Sequence, residues 1–174
     1  DFGDGRELAR AIERTPDIEV PAYTLAAGML ARLHKAPAPD SITHAGETWP
    51  ILEFDRLALA TNADLYADWL PVEAGGAALS GARRSRWEAE RDALIEQAMS
   101  FPRDFTLRDY HAENLLWLGD NRIALLDFQD AVRGWDAWDM AMLTQDARRE
   151  VSPAASEAAI RHYLDETGKE RDAF

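Results

Sequence analysis

The sequence predicts a single α+β lobe, mainly α, in which helices surround one small β-hairpin. Most of the chain carries its apolar residues at helical spacing. One segment breaks that pattern. Leu115-Leu116-Trp117-Leu118 and Arg122-Ile123-Ala124-Leu125-Leu126 are short apolar runs rich in large residues, separated by the turn signal Gly119-Asp120-Asn121. At 174 residues the chain is long enough for one good core, and residues 1–174 are read as one domain.

The elements follow in order. Arg6 to Arg14 carries Leu8, Ala11 and Ile12 at helical spacing, and Pro21 opens a longer helix with Leu25, Met29, Leu30 and Leu33 on one side. That helix is expected to end near His34, before Pro37 and Pro39. Residues 36–48, rich in Pro, Ser, Thr and Gly, predict a loop. Ile51 to Leu70 predicts one helix, or two broken near Thr61-Asn62, and Pro71 to Gly81 a further loop around Gly75-Gly76. Ser85 to Met99 is a charged amphipathic helix, Trp135 to Arg149 is helical in pattern, and Ser152-Pro153 supplies a cap and first turn for the last helix. No internal repeat, low-complexity tract or clear linker interrupts this order.

Bulk composition excludes several classes. With 32 acidic and 19 basic residues the net charge is −13, which argues against nucleic-acid or anionic-membrane surfaces. No apolar stretch approaches the roughly 20 residues that span a bilayer. The chain has no cysteine, which rules out disulfides and Cys-ligated zinc and fits a cytoplasmic protein.

The most informative run is Leu107-Arg108-Asp109-Tyr110-His111-Ala112-Glu113-Asn114, followed thirteen residues later by Asp127-Phe128. Phosphoryl transfer needs a carboxylate for the attacking hydroxyl, and an amide with a second carboxylate on Mg²⁺ beside the phosphates of ATP. Asp109, Asn114 and Asp127 supply these in that order. The hairpin gives a geometric expectation. A two-residue loop Asp120-Asn121 pairs Gly119 with Arg122 and sets Asn114 opposite Asp127, with Cβ atoms about 5 Å apart. A three-residue loop would shift the register. Being apolar on both faces, the hairpin is expected to be buried and rigid.

These stretches, with Leu125-Leu126-Asp127-Phe128-Gln129-Asp130-Ala131 and Gly134-Trp135-Asp136-Ala137-Trp138-Asp139, resemble the aminoglycoside phosphotransferase and choline kinase-like family, relatives of the protein kinases. They look most like the branch that phosphorylates N-acetylmuramate and N-acetylglucosamine at the anomeric hydroxyl. The resemblance covers about Phe105 to Asp146. It implies the C-terminal lobe of a protein-kinase-like fold, with Asp109 as catalytic base, Asn114 and Asp127 as Mg²⁺ ligands, and Asp139 as a buried brace of the catalytic loop. Two positions depart from the family pattern: Leu107 stands where His is common, and Gln129 where many members are acidic. In such enzymes a Gly-rich turn and a Lys of an N-terminal lobe cover the nucleotide. Neither is present. Gly3-Asp4-Gly5 imitates a dinucleotide loop only superficially, since no strand precedes it and the third Gly is missing. The chain therefore reads as the substrate-binding lobe of a longer enzyme, whose N-terminal lobe lies outside it.

The remaining candidates have competing readings. His111, between base and metal amide, either lies near the transferred phosphoryl group or braces the loop. Arg108 either braces the loop or neutralises nearby carboxylates. His34 reads as a helix-end residue offsetting the C-terminal dipole. Asp130, Arg133 and Asp136 face substrate or solvent, Arg83-Arg84-x-Arg86 reads as an exposed helix face, and the six tryptophans mostly as core. The acceptor expected from the resemblance is a cell-wall amino sugar. An aminoglycoside is the alternative, and a non-catalytic module derived from a kinase lobe the reading from another class.

Overall fold

The computed structural model describes residues 5–119 and 121–171. Two compact units are present: one runs up to Leu52 and resumes at Asp104, the other is Glu53–Arg103. Among the described residues no helix is long and apolar enough to cross a membrane.

The first unit opens with strand β1 (Arg6–Glu7), helix α1 (Leu8–Arg14), a 3-10 turn at Pro16–Ile18 and helix α2 (Glu19–His34). Helix α2 starts two residues before Pro21, which sits in its first turn, where a missing N–H costs no helical bond. A β-hairpin follows, β2 (Ser41–His44) and β3 (Glu47–Pro50). Its turn residues Ala45 and Gly46 have φ of 51° and 85°, the sign that tight hairpin turns require. The loop predicted over 36–48 is corrected here: the Ala-Gly pair is a weaker hairpin signal than Asn-Gly, and every residue of both strands is exposed, so no apolar face marked them.

After Asp104 come β4 (Asp104–Thr106), a 3-10 turn (Ala112–Asn114), β5 (Leu115–Gly119), β6 (Arg122–Leu125), β7 (Val132–Gly134), α5 (Asp136–Thr144) and α6 (Pro153–Thr167). Strands β5 and β6 form the predicted hairpin, extended to three strands by β1 in the order β1-β5-β6. Strands β4 and β7 pair antiparallel, Phe105 opposite Arg133. Both β1 and the β4–β7 pair escaped the sequence reading because two- and three-residue strands have no periodicity to detect. Helix α5 is shorter than the 135–149 stretch: it stops at Thr144, and a loop leads to Ser152, whose Oγ accepts from Ala155 N at 3.2 Å to cap α6. Gly168, at φ 70°, closes α6 as a left-handed cap.

The core of this unit gathers Leu8 and Ile12 of α1, Tyr23, Leu30 and four alanines of α2, Leu107, Tyr110 and Leu115, Met140 and Leu143 of α5, and Ala155, Ala159 and Tyr163 of α6. Burying each of the large side chains contributes about 1.5–3 kcal/mol. Small residues on α2 and α6 let the helices approach closely: a Cβ at Gly28 would meet His162 Nε2 at 2.8 Å.

In the second unit, α3 (Arg56–Glu73) and α4 (Gly81–Met99) form a helical hairpin. Asp55 caps α3, accepting from Ala58 N at 2.9 Å. The helix runs unbroken through Thr61-Asn62 and past Pro71. Arg84, in the predicted surface cluster, is instead only part-exposed and ion-paired to Asp64 (2.9 Å), Asp68 and Glu88. Asp64 also accepts from Trp87 Nε1 at 2.9 Å and pairs with Arg91 at 2.6 Å. Burial pushes the Asp64 carboxyl upward, but the Trp87 N–H and the two guanidiniums outweigh it and hold it below its usual range. The tryptophans are less buried than expected: Trp135 is in the core, while Trp49 and Trp69 are exposed.

Gly134 sits where strand β7 meets β4, and a Cβ there would lie 2.9 Å from Thr106 Oγ1 and 3.2 Å from its Cβ. Since Thr106 is fully buried, Gly134→Ala should cost about 1–3 kcal/mol, measured as a lower urea midpoint of the full-length protein.

Candidate functional site

The site is built on the loop from Leu107 to Asn114, between β4 and β5. Asp139, on the first turns of α5, has no exposed surface. Its two oxygens accept from the backbone N–H groups of Leu107 (2.8 Å) and Arg108 (2.9 Å). The same carboxylate accepts from His34 Nε2 at 3.3 Å, while His34 Nδ1 lies 2.7 Å from the Tyr163 hydroxyl. His34 ends α2 as expected, but its ring serves this buried contact rather than the helix dipole. Burial, and secondarily the Asp139 charge, push the Tyr110 and Tyr163 hydroxyls above their ordinary range, so both remain neutral. Tyr110 donates to Ala26 O at 2.9 Å and ties the loop to α2.

Arg108 has φ 73°, in the left-handed region that a non-glycine residue adopts at a cost of about 1–3 kcal/mol. Its N–H is held by Asp139, and its carbonyl accepts from Trp138 Nε1 at 3.1 Å. Together these fix the strained turn that presents the next residue, Asp109.

Asp109 is partly exposed, at 39% of its side chain. His111, buried, places Nε2 3.1 Å from Asp109 Oδ1, and its Nδ1 accepts from Glu113 N at 3.3 Å. A ring nitrogen that accepts carries no hydrogen, so the proton sits on Nε2 and is donated to Asp109. His111 thus braces the carboxylate. Asn114 Nδ2 donates to the Asp109 carbonyl (2.9 Å) and to Oδ2 (3.2 Å). That leaves Asn114 Oδ1 turned to other use, without a hydrogen bond among the described residues.

The hairpin register differs from the expectation. Gly119 does pair with Arg122, but Trp117 pairs with Ile123 and Leu115 with Leu125, a bulge leaving Leu118 unpaired. Gly119 and Asn121 both have left-handed φ, 76° and 57°; Asp120 lies outside the described residues, as does Gly3-Asp4. The extra residue on β5 shifts the ladder by one. Leu126, not Asp127, faces Asn114, its N–H donating to the Asn114 carbonyl at 2.9 Å. The hairpin is also only partly buried, Leu115 alone being fully so. Asp127 comes one residue later, exposed, at φ 54°, where strand alternation has ended. Gln129 Nε2 donates to its Oδ1.

Asn114 Oδ1 and the Asp127 carboxylate are hard oxygen donors from the same end of the hairpin, a donor set that fits Mg²⁺, which takes few protein ligands and keeps the rest for water and phosphate. A group of three or more His, Cys, Asp or Glu side chains able to hold a metal is absent among the described residues.

One site residue was missed by the sequence reading. Arg148, in the loop after α5, places Nη2 3.6 Å from Asp109 Oδ1 and Nε 3.6 Å from Glu113 Oε2. It falls in the 135–149 stretch whose spacing predicts helix, and no local signal in the sequence marks it as a neighbour of Asp109.

The model of the phosphotransferase enzyme family matches residues 1–174. The N-acetylmuramate/N-acetylglucosamine kinase of Caulobacter vibrioides is 41% identical over 168 residues, covering 94% of this chain and 46% of the relative. The enzyme of the same name from Pseudomonas aeruginosa is 33% identical over 63% of this chain and 32% of its own length. The chain thus spans about half the length of the first of these relatives and less of the second. Among solved structures, a choline kinase of Streptococcus pneumoniae superposes with TM-score 0.59 at 16% identity, covering 99% of this chain and 53% of that one. An ADP-bound aminoglycoside phosphotransferase superposes with TM-score 0.55 at 16% identity, covering 91% and 53%. At these identities the likeness establishes the fold: a mainly α lobe of kinase-like type.

Asp139→Asn keeps the volume of the side chain but turns one acceptor into an N–H₂ facing donors. It should cost roughly 2–4 kcal/mol, seen as a lowered unfolding midpoint of the full-length protein, together with a fall in turnover.

Proposed function

Because this chain belongs to the phosphotransferase enzyme family, we propose that the full-length protein transfers the γ-phosphoryl group of ATP, with Mg²⁺, to the anomeric hydroxyl of N-acetylmuramate or N-acetylglucosamine. The observation that carries the reading is the Asp109 carboxylate, partly exposed yet held by His111 Nε2 and Asn114 Nδ2 on a strained, braced loop. A general base must be accessible to a hydroxyl while fixed in direction, and Asp109 meets both needs. The choice of acceptor rests on the 41% identical relative and its name.

In this mechanism Asp109 orients the acceptor hydroxyl and takes its proton as the bond to phosphorus forms. His111 holds Oδ1, so that the other oxygen meets the hydroxyl in a fixed direction. Asn114 Oδ1 and Asp127 would hold Mg²⁺, which when bound neutralises charge on the nucleotide phosphates. Arg108 acts through its backbone, as the pinned turn before the base. We place the nucleotide-covering lobe in sequence beyond this chain, in keeping with the half-length match to the relatives, and the enzyme in the cytoplasm, where ATP is available. Its product would feed amino sugars released from the cell wall back into use.

Asp109→Asn in the full-length enzyme should lower kcat by two or more orders of magnitude with KM for ATP little changed, whereas Asp127→Ala should raise the Mg²⁺ requirement directly. Near-normal turnover of Asp109→Asn removes it from the mechanism. The product with N-acetylmuramate should show phosphorus coupled to the anomeric carbon and proton by NMR. Phosphate on a ring hydroxyl of an aminoglycoside, with both amino sugars untouched, would replace this acceptor by the antibiotic. Residues 1–174 alone should show no ATP-dependent transfer, and measurable transfer would overturn the two-lobe reading.

A further inference from the structure

The proposed base stands in a strongly negative corner. Asp109, Glu113 and Asp146 all lie within 3.9 Å of one guanidinium, that of Arg148. Without that cation an acceptor bearing a negative charge would be repelled by three carboxylates and by a chain of net charge −13.

Arg148 is held in place from its backbone, not from its side chain. Asp146, whose side chain has no exposed surface, accepts from Arg148 N at 2.9 Å. On the other side Arg149 Nη1 donates to the Tyr23 hydroxyl at 2.7 Å, packs over the Tyr23 ring and pairs with Glu19 at 3.5 Å. The loop is therefore pinned before and after Arg148. Its side chain is 42% exposed, and its contacts to the three carboxylates, at 3.6 to 3.9 Å, are all longer than hydrogen bonds. Each of its three nitrogens faces one of these carboxylates, but among the described residues its N–H donors make no hydrogen bond, so the planar fork keeps its donors for a closer carboxylate beside the base.

We propose that Arg148 is the specificity-determining residue that recognises the carboxylate of an anionic acceptor. This rests on the amino-sugar reading. N-acetylmuramate and N-acetylglucosamine differ by the lactyl ether of the former, whose carboxylate hangs from C3 of the ring, two carbons from the anomeric carbon. With the anomeric hydroxyl on Asp109, a cation 3.6 Å from Asp109 Oδ1 is within side-chain reach of that carboxylate. N-acetylglucosamine offers it no partner. Arg148 thereby selects between two substrates that the rest of the site treats alike.

The test uses the full-length enzyme, its Arg148→Gln and Arg148→Lys variants, and three acceptors: N-acetylmuramate, its uncharged carboxamide and N-acetylglucosamine. The readout is the ratio of kcat/KM for N-acetylmuramate to that for N-acetylglucosamine, which cancels any common loss from disturbing Asp109. In Arg148→Gln this ratio should fall by about tenfold or more, through KM for N-acetylmuramate, the scale of one charge-assisted hydrogen-bonded contact. The wild type should prefer the acid over its carboxamide and the variant should not; Arg148→Lys, a point charge without the fork, should fall between. If the ratio is unchanged, whether both substrates decline together or neither does, Arg148 does not read the carboxylate and the proposal is wrong. A wild type that phosphorylates none of the three acceptors removes the amino-sugar reading itself, and this proposal with it.

Discussion

The buried Asp139 carboxylate is the constraint on which the site depends. A charge without solvent is costly unless it is fully hydrogen-bonded. Here two backbone N–H groups and one imidazole N–H supply what water cannot. Those three donors come from the start of the Leu107–Asn114 loop and the end of α2, so satisfying one charge ties together segments separated by more than a hundred residues in one case. Tyr163 continues the tie into α6, and Tyr110 adds a second bond to α2. The helices of this unit are thus positioned relative to the loop by polar contacts whose geometry is directional, inside an apolar core that alone would tolerate sliding.

That rigidity has a local use. Arg108 adopts a backbone conformation that favours glycine, and Asp127 does the same at the other end of the hairpin. Strain at a non-glycine residue persists only where surrounding contacts over-determine it. At Arg108 they are visible: Asp139 on its N–H and Trp138 on its carbonyl. The side chains that follow, Asp109, His111 and Asn114, form one hydrogen-bonded set in which three contacts restrain the Asp109 residue and a fourth joins Asn114 Nδ2 to His111 Nε2 at 3.3 Å. Arg148 balances their charge from a loop anchored elsewhere. Polar groups that share one carboxylate rigidify one another, since moving any of them leaves a partner unsatisfied.

The Glu53–Arg103 unit is organised on a different principle. Among its described residues few apolar side chains are buried, Phe54, Leu59, Ala67 and Ile95, and Asp64 in the helical hairpin gathers Trp87, Arg84 and Arg91. Directional pairing supplies register where apolar area is small. Each such part-exposed pair contributes little by itself; a shared carboxylate makes them a network.

The sequence by itself marked out the candidate site. The order Asp109, Asn114, Asp127, the apolar runs around Gly119-Asp120-Asn121 and the Ser152-Pro153 start are local signals, each tied to a chain segment short enough to be read without its neighbours. So were the long helices, whose apolar periodicity extends over several turns. The structure decided what depends on contact between distant segments. Leu118 bulges because the Gly119 and Asn121 backbones turn left-handed, and that single extra residue sets Leu126 rather than Asp127 opposite Asn114. A two-residue strand at Arg6–Glu7 exists because β5 has an open edge to pair with, not because of its own pattern. His34 became a partner of Asp139, and Arg148 a neighbour of Asp109, through packing that brings together residues with no shared motif. Local propensity names the residue types and their spacing; only burial and long-range hydrogen bonding choose which of them meet.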